Sequence, residues 1–189
     1  LALLVIASGV PRKPGMTREE LLQINTKIVT EVTQNVVKYS PNCIIVMVAN
    51  PLDAMTYLAL HTSRFPRNRI MGMSGVLDTA RLRSFIAAEL NVSVQDVFAC
   101  ILGQHGEAMV ILPRLCTVCG VPIIKLLPQE TIDKLVQRTL KAGAEIVGLL
   151  KTGSAFYAPS AGAAQMVEAI ILDKKQVLPC ATYVEGEYG

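Results

Sequence analysis

The sequence predicts an α/β fold: the later half of a doubly wound parallel sheet over residues 1–74, followed by an α+β domain over residues 75–189. Three observations carry this prediction. Short apolar runs rich in branched side chains, Leu1–Ala7 and Cys43–Val48, alternate with longer segments of helical period, as strands buried on both faces alternate with crossover helices. Both runs stop at polar loops, Ser8-Gly9 and Asn50-Pro51, at the carboxyl ends of strands, where such sheets hold their ligands. Beyond Leu90 the texture changes to short strands and then two helices, with no linker rich in Pro, Gly or Ser between the halves.

The elements follow in order. After the first strand, Pro11-Arg-Lys-Pro-Gly15 excludes helix, and Thr17-x-x-Glu20 is a capping box opening the next one. Leu21, Ile24, Ile28, Val32 and Val36 then recur at helical spacing up to Ser40-Pro41. The second strand, Cys43–Val48, precedes a helix over Asp53–Ser63, and Arg69–Met73 fits a third strand. Val76–Leu90 reads as a helix closed by Asn91 and Val92. Strands are expected over Val97–Leu102 and Met109–Leu112, flanking Gly103-Gln-His-Gly106, and helices over Glu130–Leu150 and Ala158–Ile171.

Composition excludes several classes. Of 189 residues, 51% are hydrophobic and 17% charged, too rich in core material for a disordered chain. Eighteen Lys+Arg against 15 Asp+Glu leave a net charge of +3, which gives nucleic-acid binding no support. The longest uncharged stretch, Thr152–Val167, is interrupted by Gly153, Pro159 and Gly162 and is shorter than a membrane span requires, so a soluble protein is expected. Five cysteines, an odd number, suggest reduced thiols in a cytosol-like compartment. No basic region precedes the apolar Leu1–Val10 and the first residue is not methionine, so the sequence reads as a truncated chain.

Four places carry candidate chemistry. Arg12, Lys13 and Arg18 crowd the loop after the first strand and suit either an anion or plain solvation. Asn50 offers a donor and an acceptor at the end of the second strand, though a turn asparagine before a helix has the same sequence. Asp78 and Arg81, three apart on one helix face, form either an ordinary ion pair or a functional pair, with Asp78 orienting an imidazole and Arg81 offering its planar fork to a carboxylate. His105 lies between two glycines that let another molecule approach its ring. His61, inside a helix pattern with no companion motif, is assigned a structural or surface role. Cys116-x-x-Cys119 lacks a second pair or a nearby histidine, so no metal site is expected, and no glycine-rich phosphate turn occurs in the chain.

Taken in order, Gly9-Val-Pro-Arg-Lys-Pro-Gly-Met-Thr-Arg18, Asn25, Asn50-Pro51, Leu77-Asp78-x-x-Arg81 and Gly103-x-His-Gly106 resemble the malate branch of the lactate/malate dehydrogenase family. Lys151-Thr-Gly-Ser-Ala155 and Tyr157-Ala-Pro159 resemble its lactate-dehydrogenase-like bacterial members. The resemblance implies a Rossmann-type, partial dinucleotide-binding domain over residues 1–74 and a partial substrate domain over 75–189. The implied reaction is NAD-dependent oxidation of malate to oxaloacetate, in the tricarboxylic acid cycle, by a cytoplasmic homo-dimer or homo-tetramer. It further implies His105 as proton acceptor with Asp78 as its partner, Arg12, Arg18, Asn50 and Arg81 as substrate contacts, and Asn25, Val48, Ala49 and Asn50 as cofactor contacts.

Gln104 and Glu107 stand where the family more often has Glu and Asp, and the family's opening strand, glycine-rich turn, ribose-binding acid and final helix have no counterpart in the sequence. Two alternatives stay open: another 2-hydroxy-acid dehydrogenase of lactate type, or a catalytically silent fragment.

Overall fold

The computed structural model describes residues 2–11, 16–106, 108–151 and 155–188, the side chain of residue 18 excepted. By its contacts the chain divides into two compact units, residues 1–73 with 159–189, and residues 74–158.

The first unit is built on a parallel sheet of β1 (Leu3–Ile6), β2 (Ile44–Met47) and β3 (Ile70–Gly72) in that spatial order, with Leu3 opposite Ile44 and Ile45 opposite Ile70. The helices between them are α1 (Arg18–Tyr39) and α2 (Leu52–Ser63), so the predicted strand–helix alternation is present. Val29, Cys43, Ile45, Met47, Met55, Ala59 and Ile70 form the core. One expectation fails: β1 is not buried on both faces, since only Ile6 is buried and Val5 is 44% exposed. Among the described strands it hydrogen-bonds to β2 alone.

Helix α1 starts as its sequence dictates. Thr17 accepts from the Glu20 N–H at 3.1 Å and the Glu20 carboxylate accepts from the Thr17 N–H at 2.8 Å. Its buried stripe is Leu21, Asn25, Val29, Thr33 and Val36, rotated from the apolar pattern in the sequence, and Ile24 is left 38% exposed. The rotation turns a polar side chain, Asn25, inward.

The second unit begins with α3 (Gly75–Leu90), closed by Asn91 in the left-handed region at φ 52°. The strand expected over Val97–Leu102 is two strands with different partners. β4 (Val97–Phe98) pairs with β7 (Thr117–Val118), which pairs in turn with β8 (Val121–Pro122), whereas β5 (Ile101–Gly103) pairs with β6 (Met109–Ile111). Ala99 and Cys100 lie between β4 and β5, outside any strand. The β7–β8 hairpin turns on Cys119 (φ 45°) and Gly120 (φ 83°) and has no counterpart in the sequence reading.

The Cys-x-x-Cys spacing therefore spans a hairpin turn. Cys116 is buried, its thiol pushed up to about 11 by burial, while Cys119 is exposed. Helix α4 (Gln129–Leu150) buries Ile132, Leu135, Thr139 and Ala142. The core of the unit joins Leu82, Ile86, Val97, Ile101, Ile123 and Ile132.

Helix α5 (Tyr157–Ile171) leads into the segment that returns to the sheet of the first unit. Gly72 and Ala181 form an antiparallel bridge, with N–H to O distances of 2.8 and 2.9 Å, on the side of β3 away from β2. A Cβ on Gly72 would lie 2.4 Å from Thr56 Oγ1 and 3.0 Å from Ala181 Cβ. Thr56 is itself held by its hydroxyl, which donates to the Leu52 carbonyl at 2.8 Å. Gly72→Ala is expected to destabilise the protein by about 1–3 kcal/mol, read as a lower urea midpoint at unchanged slope. An unchanged midpoint would show that the returning segment yields without cost.

Candidate active site

In the second unit two side chains, those of Arg81 and His105, converge on Asp78. The backbone carbonyl of Ser74 accepts from the N–H groups of Leu77 and Asp78, setting Asp78 in the first turn of α3, where the helix N-terminus favours negative charge. Its side chain is only 2% exposed. Oδ2 lies 2.8 Å from His105 Nδ1, and Oδ1 accepts from Arg81 Nη1 at 3.3 Å. One buried carboxylate is thus divided between an imidazole and a guanidinium.

His105 reaches Asp78 from the loop between β5 and β6. Gly103, at φ 79°, ends β5 where a Cβ would lie 3.0 Å from both the Ala108 carbonyl oxygen and Val110 Cγ2, so only glycine permits this close turn. Gly106 has φ 121° and open space where a Cβ would be, which keeps the approach to the ring uncluttered. The His105 side chain remains 22% exposed.

Burial pulls the Arg81 guanidinium below its ordinary value, and the Asp78 charge opposes that shift; an arginine in this setting stays protonated. Its Nε is buried without a hydrogen-bond partner among the described residues. A buried N–H donor left unmatched is costly, and a carboxylate is the acceptor whose geometry fits a guanidinium edge. Arg81 also lines a cleft of about 250 Å³ between α3 and α4, beside Phe85, Ala142 and Glu145. Across that cleft Arg138 is paired with Glu145 and stacked 4.2 Å above the Phe85 ring.

In the first unit Asn25 ties together the loops that follow β1 and β2. It is 1% exposed; Oδ1 accepts from the Val10 N–H at 2.8 Å, and Nδ2 donates to the carbonyls of Val10 at 3.2 Å and Asn50 at 2.6 Å. A Cβ on Gly9 would lie 3.1 Å from this amide, so the glycine admits it. Val48 is half-buried, Ala49 buried and Asn50 exposed beyond β2.

Asn25→Leu strips three backbone groups of their partner and is expected to cost about 2–3 kcal/mol in urea unfolding. Asn25→Asp brings a carboxylate against two carbonyl oxygens and is expected to be destabilising at neutral pH and less so in acid, where the carboxyl can again donate. Stability equal to the parent in both variants would remove Asn25 from this role.

Arg12 and Lys13 lie outside the described residues, and of Arg18 only the backbone, which opens α1, is described. His61 is exposed and packs against Tyr57, the ring centroids 4.3 Å apart and the planes tilted by 54°. Sequence reasoning did not single out Thr79, a buried polar neighbour of Asp78 whose hydroxyl accepts from the Ile101 N–H at 3.0 Å. The only signal for it in the sequence is a hydroxyl residue beside an acid in the first turns of a helix.

The end of the sheet also fits one part of a dinucleotide. Asn50 presents an exposed amide at the carboxyl end of β2, the place where parallel sheets receive nucleotides. Asn25, whose amide is spent on Val10 and Asn50, holds that surface in shape.

Residues 1–72 match the lactate/malate dehydrogenase NAD binding domain and residues 75–189 the alpha/beta C-terminal domain of the same enzymes, so the chain belongs to the lactate/malate dehydrogenase family.

It is 56% identical over 187 residues to the malate dehydrogenase of Roseiflexus sp. (strain RS-1), covering 99% of this chain and 60% of that protein. Its structure superposes on the malate dehydrogenase of Salinibacter ruber with a TM-score of 0.93 at 53% identity, over 100% of this chain and 59% of the other. A lactate dehydrogenase from Eimeria maxima, determined with NADH and oxamate, is similar at a TM-score of 0.93 and 38% identity, over 99% of this chain and 58% of the other. The chain spans about 60% of the length of the relatives it matches.

Proposed function

We propose that the chain serves the NAD-dependent oxidation of malate to oxaloacetate. The observation that supports this reading is the sharing of buried Asp78 between His105 and Arg81, an arrangement that suits a proton acceptor and a carboxylate receptor held on one anchor. His105 Nε2 takes the hydroxyl proton of malate. Asp78 holds Nδ1 and so selects the tautomer, and its negative charge offsets that of the imidazolium formed.

Arg81 takes the carboxylate next to the reacting carbon in a two-point fork that a lysine cannot reproduce. Arg18 and Asn50 donate to the substrate oxygen and stabilise the charge that develops there when oxaloacetate is reduced. Bound NAD supplies the hydride acceptor. Asn25, Val48, Ala49 and Asn50 would hold it, Asn25 by shaping the two loops it ties.

Arg12 pairs with the second carboxylate, which malate has and lactate lacks. The support is its charge and its place in the loop after β1, beside Pro11, Pro14 and Gly15. An unmatched charge in a closed site costs on the order of 3–5 kcal/mol, a discrimination of several hundredfold or more. In the full-length protein carrying this sequence, Arg12→Gln is expected to move preference toward pyruvate or lactate by that order, measured as kcat/KM on a substrate panel. Equal loss on both substrates would refute it.

The same panel on the parent protein tests the main reading, which fails if lactate is preferred to malate. The lactate-type alternative rests on the Eimeria likeness. Further parts of the proposal are a place in the tricarboxylic acid cycle and a cytoplasmic homo-dimer or homo-tetramer. Five free cysteines fit a reducing compartment, and exposed Leu149 and Tyr157 suit a subunit contact. No helix among the described residues is long and apolar enough to cross a membrane.

A further inference from the structure

We infer that Thr79 is a positioning residue, its hydroxyl oxygen setting the register in which the β5–β6 hairpin delivers His105 to Asp78. The inference rests on the role proposed above for the His105–Asp78 pair.

Three side chains of α3 reach the segment that runs from β4 to the histidine. Arg83 donates from Nε to the Val97 carbonyl and from Nη2 to the Val94 carbonyl, each at 2.7 Å. Thr79 Oγ1 accepts from the Ile101 N–H at 3.0 Å, and Asp78 Oδ2 meets His105 Nδ1 at 2.8 Å. Going backward along the helix, 83, 79 and 78 therefore hold 97, 101 and 105, at equal steps along the opposing segment. Thr79 and Ile101 are both buried, so water does not replace that bond if it is lost.

The hairpin cannot supply the alignment itself. Its ladder joins β5 to β6, with Ile101 opposite Ile111 and Gly103 opposite Met109, and says nothing of its distance from α3. Nor does the neighbouring strand fix it, because β4 is tied to β7 in a different sheet and Ala99 and Cys100 between them are in no strand. Apolar packing of Ile101 against the Leu82 and Ile86 cluster is non-directional and holds the hairpin down without selecting its register. The Thr79 bond is directional and fastens the first residue of β5. A displacement of about 1 Å at His105 carries a 2.8 Å contact beyond hydrogen-bond range, and misplacement on that scale costs catalysis heavily.

The test uses Thr79→Val, Thr79→Ala and Thr79→Ser in the full-length protein. Alanine and serine lose the same methyl group and differ in the oxygen alone, so their comparison stands even where the valine variant does not fold. The valine and alanine variants are expected to slow single-turnover hydride transfer by about tenfold or more, with malate KM and NAD affinity within about threefold of the parent. Serine is expected to stay within about twofold of the parent rate.

The downfield proton resonance of the His105 Nδ1–H, assigned by its loss in His105→Asn, should shift or broaden in the first two variants and persist in serine. A role confined to stability would lower the melting temperature and leave the resonance and the KM-to-kcat split alone. Parent-like rate and resonance in alanine, or a serine variant as slow as alanine, would overturn the inference. Retained turnover in His105→Asn would instead overturn the reading on which it rests, and the two failures are thereby told apart.

Discussion

Replacing His105 with asparagine is expected to lower single-turnover hydride transfer by about 10⁴-fold or more while NAD affinity stays within a few fold of the parent. Asparagine is smaller but its amide can still face Asp78, and it has no ring nitrogen able to take up the substrate proton. The Asp78–Arg81 contact does not depend on the imidazole, so carboxylate binding persists and the loss falls on kcat. A stopped-flow turnover and a separate cofactor titration check the two halves of this expectation. Turnover within tenfold of the parent would remove His105 from the reaction.

Asp78→Asn carries the second large effect, a fall of about 10³-fold or more in kcat/KM. The amide is nearly isosteric, but it presents an oxygen or an NH₂ to each neighbour and no charge to either. If its oxygen faces His105, its NH₂ is turned against the Arg81 Nη1 donor; if its NH₂ faces His105, the imidazole must accept at Nδ1 and carry its proton on Nε2, the wrong tautomer for a base. Both orientations are unproductive because both oxygens of the native carboxylate are in use. Since Arg81 loses its counter-charge as well, malate KM is expected to rise together with the fall in kcat, which separates this variant from His105→Asn. A kcat/KM within tenfold of the parent would show that the pairing is structural only.

Much of the scaffold is legible in the sequence where local chemistry decides it. Thr17 and Glu20 announce the start of α1, Asn91 the end of α3, and the β-branched run at Ile44–Met47 its strand. What is illegible depends on pairing at a distance. Nothing local tells that Val97 and Ile101 belong to different sheets, that Cys119 adopts a left-handed turn, or that Ala181 returns to cover Gly72.

The buried stripe of α1 departs from the apolar pattern for a related reason. Hydrophobic periodicity ranks Ile24 above Asn25, but the amide has three backbone partners and the isoleucine has none to offer, so the polar residue takes the inner position. The Asp78–His105 pair shows the same limit. The spacing of Asp78 and Arg81 is readable on a helix, whereas the meeting of Asp78 with His105, 27 positions away, needs the fold or a resemblance to reveal it.

The amide of Asn25 bears on how this molecule could be redesigned. It grips the main chain of Val10 on both its N–H and its carbonyl, and main-chain atoms are the same whatever side chain is written at that position. A segment of different sequence, spliced in from Pro11 onward, would start from a splice point already fastened to the protein body. The grafted residues would inherit their point of departure, leaving only their own length and chemistry to be chosen.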